Sequence, residues 1–268
     1  MKKSQIHKFL SANGFIRASA LVCPDIVNEM RENQQTTPPS TVALGRSFMC
    51  TALMASHLKD GQAISTQFIC EGPMRMLFAQ ASYEGACRAY IAEPQLPMSL
   101  KKGKLSLSPH VGSGTLTVST YIKSNTQPHR SQVLIQTGEV TEDLAHYILT
   151  SQQLPCMLST GVMLGSEGVV THAGGILVEL MPGHREEDIR TVENCFKVMG
   201  SLSEVLTPEM DGGELLQFFF IGVPGQHWRH DYNIELSCSC TYEKVLNSLQ
   251  LLGKEDLADM IAKKEVTE

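Results

Sequence analysis

TLTVSTYIK, residues 115–123, alternates side-chain character at every step. Leu116, Val118, Thr120 and Ile122 fall on one side, and Thr117, Ser119, Tyr121 and Lys123 on the other. A period of two is the pattern of a β-strand with one buried face. It extends from about Gln62 to Val140, where Ile64, Phe68 and Cys70 also alternate with polar residues. Gly72-Pro73, Tyr83-Glu84-Gly85 and Gly112-Ser113-Gly114 punctuate it at turns. This stretch reads as an antiparallel sheet with one face covered.

Helical patterns flank the sheet. Residues 5–35 mix short apolar patches with polar residues, and Pro38 and Pro39 are read as closing that segment. Ser40 or Thr41 then offers an N-cap for a helix carrying Val42, Leu44, Phe48, Met49, Ala52, Leu53 and Leu58. Their spacing buries one broad face, and Lys59-Asp60-Gly61 supplies a stop. Thr141-Glu142-Asp143 is expected to cap a short helix with Leu144, Tyr147 and Ile148 inward. Strand-like pieces follow at Ser159–Leu164 and Gly175–Met181, ending at Met181-Pro182-Gly183.

Past Gly183 the character changes. Residues 184–206 are charged and helical, with Ile189, Val192, Phe196, Met199 and Leu202 on one face. ELLQFFFIGV, 214–223, is an aromatic patch. It reads either as an ordinary docking face or as a marginal element whose apolar side can be uncovered. Residues 224–234 are polar and hold the single Trp, Trp228. Two short helical patterns close the chain, one with Val245, Leu246, Leu249 and Leu252, the other with Leu257 and Ile261. The expected fold class is α+β. A mostly antiparallel β-sheet core packed with helices spans 1–183, a helical linker 184–236, and a small terminal module 237–268.

Composition narrows the function. The chain has 268 residues, 42% of them hydrophobic, enough for a core without disulfide staples. Its net charge is −6 and Lys and Arg are scattered, which does not suit nucleic acid. The longest apolar runs are too short for a bilayer. MKKSQIHKFL lacks the apolar stretch of a secretory signal, so a cytoplasmic, reducing compartment is expected.

Six of the eight cysteines, Cys23, Cys50, Cys70, Cys87, Cys156 and Cys195, stand alone, mostly among apolar neighbours. Each reads as a small buried hydrophobe. Cys238 and Cys240 differ, because they sit two apart in ELSCSCTYEKV, 235–245. In extended chain they point the same way and could grip a soft metal ion, zinc first. They could also oxidise to each other, though a disulfide from i to i+2 is strained and reducible. Two unremarkable surface thiols are the plainer reading. A closed zinc site needs four ligands. His227 and His230 could complete one in principle, but two exposed histidines in a polar loop describe them better. Gly161, Gly165 and Gly168 in TGVMLGSEG open no helix and read as tight turns, and His172 as a structural histidine. The competing class is an α+β enzyme with the Cys-x-Cys as redox centre, but no catalytic motif accompanies it.

ELSCSCTYEKV and the following LQLLGKEDL, 249–257, resemble the C-terminal redox module of the bacterial 33-kilodalton chaperonin family, the redox-regulated heat-shock holdases. CEGPM at 70–74, QVLIQTGEV at 132–140, SQQLP at 151–155 and AGGILVELMPG at 173–183 carry the resemblance along the chain. It implies an ATP-independent chaperone for unfolded client proteins, not an enzyme, and a homodimer when active. It also implies that Cys238 and Cys240 are half of a zinc site and of a disulfide switch, and so that 237–268 is a partial C-terminal zinc and redox module. In that family a Cys-x-x-Cys supplies the other half, about thirty residues later and so just beyond Glu268. With two ligands where four are needed, zinc is expected to be weak or absent here, and the connector partly unlocked.

Overall fold

In the computed structural model, residues 4–123, 125, 127–237 and 241–263 are described. Cys238 and Cys240 lie outside them. Two compact units result, divided between Leu236 and Ser237.

The first unit opens with β1 (Gln5–Ser11) and β2 (Ile16–Val22), then α1 (Pro24–Gln34) and α2 (Pro38–Ala55). A meander follows: β3 (Gln62–Cys70), β4 (Met76–Ser82) and β5 (Ala86–Ile91). The small hairpin β6 (Leu100–Lys101) and β7 (Lys104–Leu105) precedes the single turn α3 (Ser108–Val111). Then come β8 (Gly114–Ile122), β9 (His129–Leu134), α4 (Val140–Ser151), β10 (Cys156–Leu164) and β11 (Val170–Leu180). The connector adds α5 (Glu186–Met199), α6 (Leu202–Val205), α7 (Gly212–Phe219), β12 (Gly225–Asn233) and β13 (Glu235–Leu236). The second unit holds α8 (Tyr242–Gln250) and α9 (Lys254–Lys263), both amphipathic and neither burying a residue.

The alternating stretch 115–123 is largely β8, antiparallel to β3 and β9. It belongs to a sheet ordered β13-β5-β4-β3-β8-β9. A second sheet is ordered β10-β11-β2-β1-β12. Between the sheets lies α2, against β3, β4 and β5 on one side and β2, β10 and β11 on the other. Every residue of α2 except Pro38 and Arg46 is buried, so it has no wet face. The expected single buried face is thereby corrected, and so is the start. Pro38 and Pro39 open the helix behind the N-cap Thr37, where a missing N–H costs nothing. The helix ends at Ala55, and Lys59-Asp60-Gly61 belongs to the turn into β3.

The polar stretch 224–234 is also not helical connector. It is largely β12, hydrogen-bonded along β1. Residues 5–35, read only as mixed patches, contain the β1–β2 hairpin and α1.

A charged cluster joins the five-stranded sheet to the end of α2. Arg17 on β2 and Glu179 on β11 are cross-strand partners. Arg17 donates from Nε (2.9 Å) and Nη2 (2.7 Å) to Oε2 of Glu179. Nδ1 of His57 approaches the same oxygen at 2.5 Å. Lys8 of β1 donates to the Ser56 carbonyl at 2.5 Å. Burial pushes the His57 pKa down, against the pull of Glu179. Burial works to raise Glu179, but His57 and Arg17 hold it below the usual carboxylate range. Neutral His57 suits this site, because its buried Nε2 has no partner and an imidazolium would bring a second N–H there.

A histidine whose folded pKa lies below the usual 6.5 takes its proton first in the unfolded chain. Its contribution is present above that value and lost as pH falls. The depressed Glu179 carboxyl, below 4.5, adds loss in the same direction at lower pH. The melting temperature should therefore fall as pH drops from about 7.5 to about 5.5. His57→Leu should flatten that slope, as read by thermal denaturation across pH.

Candidate functional site

The five-stranded sheet buries apolar residues on both faces. One face, with Ile6, Leu21 and Leu177, looks into the α2 layer. The other presents Phe9, Ile16, Ala18, Ala20, Ile176 and Val178 to the connector. Val192, Met199, Leu202, Leu206, Leu215, Leu216, Phe219 and Phe220 cover it. Ala18 and Ala20 keep this face shallow, so large connector side chains can sit low against it. Phe9 stacks on Phe220 with ring centroids 4.0 Å apart and planes at 15°. Phe220 meets Phe219 edge-on at 4.7 Å, and Phe219 meets Phe196 at 4.6 Å. Of the aromatic patch, Phe219 and Phe220 are thus core residues, while Phe218 is 43% exposed.

Glycines set the approach distance. A Cβ on Gly161 of β10 would stand 2.9 Å from the Ser203 amide nitrogen in α6. One on Gly174 of β11 would meet Leu206 at 2.9 Å, and one on Gly212 the Ala20 carbonyl oxygen at 2.7 Å. Gly161 therefore lies within a strand, paired with Gly174, rather than in a turn. Gly165 and Gly168 do turn the chain between β10 and β11. His172 lies on β11.

A polar latch fixes the start of α5. Asn13, in the β1–β2 turn, donates from Nδ2 to Oδ1 of Asp188 at 2.7 Å. Oδ2 of Asp188 accepts the Arg185 amide at 2.8 Å, capping the helix. Ser11 holds Asn13 in turn, its Oγ 2.6 Å from the amide oxygen. Nothing in the sequence singled out Asn13 or Asp188. An Asn in a turn and an Asp near a helix start become a pair only through the fold.

The cysteines divide as their sequence context suggests, as far as they are described. Cys23, Cys50, Cys70 and Cys87 are buried, and Cys156 and Cys195 partly so. Burial pushes the thiols of Cys50, Cys87 and Cys156 up to about 12 and that of Cys70 to about 11. Cys23 and Cys195 are raised as well, again mainly by burial. A thiol held protonated is a poor nucleophile and a poor metal ligand.

The histidines do not make a ligand pair. His227 lies against the Phe9 ring, whereas His230 lies edge-on to Tyr83 with its Nε2 2.7 Å from the Tyr83 carbonyl oxygen. Alternation on β12 sends them to opposite faces. His230 is buried rather than an exposed loop histidine. Among the described residues, no three His, Cys, Asp or Glu side chains converge on a metal position. The described residues by themselves therefore form no closed four-ligand zinc site. A cavity of about 790 Å³ beside β1 is lined by His7, Asp25, Glu209, Asp211 and Arg229 among others, with no cysteine. No described helix is long and apolar enough to cross a membrane.

Loosening the seat should act on the connector alone. Gly161→Val and Gly174→Val should each cost about 1–3 kcal/mol through overpacking. Amide exchange across 184–220 should quicken while β3 and β8 remain protected.

The family model for the Hsp33 protein matches residues 4–268. The 33 kDa chaperonin of Thermodesulfovibrio yellowstonii is 32% identical over 96% of this chain and 88% of its own length. That of Lactococcus lactis is 32% identical over 96% of this chain and 90% of its own. The crystal structure of the 33 kDa chaperonin from Thermotoga maritima superposes with a TM-score of 0.87 at 29% identity, covering 97% of this chain and 89% of that one. The antiparallel sheets, the packed helices and the matched residues agree: this chain belongs to the Hsp33 family of chaperones.

Proposed function

We propose that this chain is an ATP-independent holdase, which binds unfolding proteins under oxidative and heat stress and prevents their aggregation. Membership in a chaperone family is the starting point. The observation that carries the reading further is the sheet face beneath the connector. It bears Phe9, Ile16, Ala18, Ala20, Ile176 and Val178, and its cover among the described residues is the connector with the strand edge beside it. Removing that cover would present an apolar surface of the kind that meets unfolding proteins. The cover ends at Leu236, two residues before Cys238.

Cys238 and Cys240 are the proposed switch. The six described thiols are suppressed by burial, which leaves the Cys-x-Cys as the chain's candidate oxidant sensor. Two thiols and one peroxide give one disulfide and two waters. Its i to i+2 geometry is strained, so the bond is readily reduced again. Zinc at Cys238 and Cys240 is proposed to be weak, since the pair supplies two ligands where a closed site needs four. The setting is proposed to be the cytoplasm, and the active form a homodimer. A non-catalytic role fits a chaperone family.

Light scattering of a heat-unfolding client tests this with reduced and peroxide-treated chain. Protection by either sample is expected, and failure of both would remove the holdase reading. With the connector partly unlocked, the reduced sample should already protect, and Cys238→Ser with Cys240→Ser should then change little. Metal analysis of the reduced protein should find well under one equivalent of zinc. Tight stoichiometric zinc would overturn that part.

A further inference from the structure

Strand β12 is held differently from the helices before it. Its sequence is GQHWRHDYN, and Trp228 and Tyr232 are 43% and 37% exposed. His230 is its buried anchor, and Ile234 follows at its end. Backbone register with β1 runs from Ser11 opposite Gly225 to His7 opposite Arg229, is interrupted between His7 and Gln5, and resumes with Gln5 opposite Asn233. Both ends are closed: the Ala12 amide donates to the Pro224 carbonyl at 2.9 Å, and the Ile234 amide to that of Ser4 at 2.8 Å. The same segment then crosses to the other sheet, where Glu235 and Leu236 pair parallel with Ala86 and Cys87 of β5. Residues 225–236 thus occupy an edge of each sheet.

An edge strand is a template for another strand, because its unpaired N–H and C=O groups accept any extended backbone in register. The seat on β1 asks for little in side chains, since most of those on its present occupant are exposed. It does require a small residue opposite Ser11, for a Cβ on Gly225 there would run into the Phe9 ring. Extended backbone with undemanding sequence is what an unfolding polypeptide offers.

We propose that the edge of β1, once β12 leaves it, is a seat for client segments, which add to it as an antiparallel strand. This rests on the holdase reading, and the test separates the two. In the full chain, Leu10→Cys with Gln226→Cys joins residues that face each other across the strands, at a spacing a disulfide can bridge. Gln226→Ser, on the departing strand, is the reference. After peroxide and heat the reference should suppress aggregation of an unfolded client, and the stapled chain should be weaker by about tenfold or more. Equal protection by both overturns the edge as a seat. Failure of both overturns the holdase reading and this proposal with it.

A staple could act by holding the helices down, so amide exchange supplies the second readout. In the unstapled active chain, residues 5–11 should lose protection and regain it when client binds. If they stay open with client bound, the client sits elsewhere and the proposal is wrong. If they regain protection with rising chain concentration and no client, the occupant is a second copy, which also overturns it. A peptide of residues 225–236 should compete with client, and its backbone N-methylated form should not.

Discussion

Phe9 stacked on Phe220 ties a strand of the core to the last turn of the connector, and the fold depends on this kind of contact. A sheet buried on one face alternates apolar and polar residues. The five-stranded sheet instead needs cover on both faces. Its inner face is satisfied by α2, a helix with almost no exposed residue. Among the described residues, its outer face meets the same requirement through the connector. The apolar residues on that outer face therefore cannot be explained by the core alone. They presuppose α5–α7, and the glycines at 161, 174 and 212 presuppose them at close range.

That dependence explains what could be read from the sequence and what could not. The meander of β3, β4, β5, β8 and β9 was legible because one of its faces is wet, so its strands carry a period of two. The amphipathic α5 was legible for the matching reason at a period of three to four. β12 was not. An edge strand with mostly exposed side chains has no buried face to write into the sequence, and GQHWRHDYN reads as loop. The start of α2 was misplaced because Pro-Pro reads equally as a stop and as the first turn of a helix. The candidate site was half legible. The aromatic patch named its cover, whereas the Asn13–Asp188 latch joins residues 175 positions apart. No local pattern announces such a pair.

The buried cysteines supply a control within the molecule. Six thiols share the chain with the Cys-x-Cys, and burial raises the pKa of every one described. An oxidant that attacks thiolates would find them slow. A sensor needs this background of silence, because oxidation of Cys23 or Cys50 would put polar sulfur oxides into the α2 core. Selectivity then rests on where the fold buries sulfur as much as on the reactivity of any one pair.

Attachment to the sheets changes in kind with distance upstream of Cys238. β13 contributes two paired residues, one exposed and one partly buried. β12 contributes a ladder to β1, interrupted once by a register shift, but few buried side chains. α7 buries Leu215, Leu216 and Phe219 and is capped by Asp211, whose Oδ1 accepts the Gly213 and Glu214 amides at 2.9 Å each. α5 adds Val192, Met199 and the latch to Asn13. A perturbation entering at residue 237 therefore meets backbone pairing first and packed apolar side chains after it. Backbone pairing at an exposed edge exchanges readily with water, whereas the Phe9–Phe220 stack is lost only by exposing apolar surface. Opening from the C-terminal side should be graded, with strand edges freed before the apolar face. The same sequence of contacts read backwards is a route for closure, in which the helices seat first and the polar strand zips last.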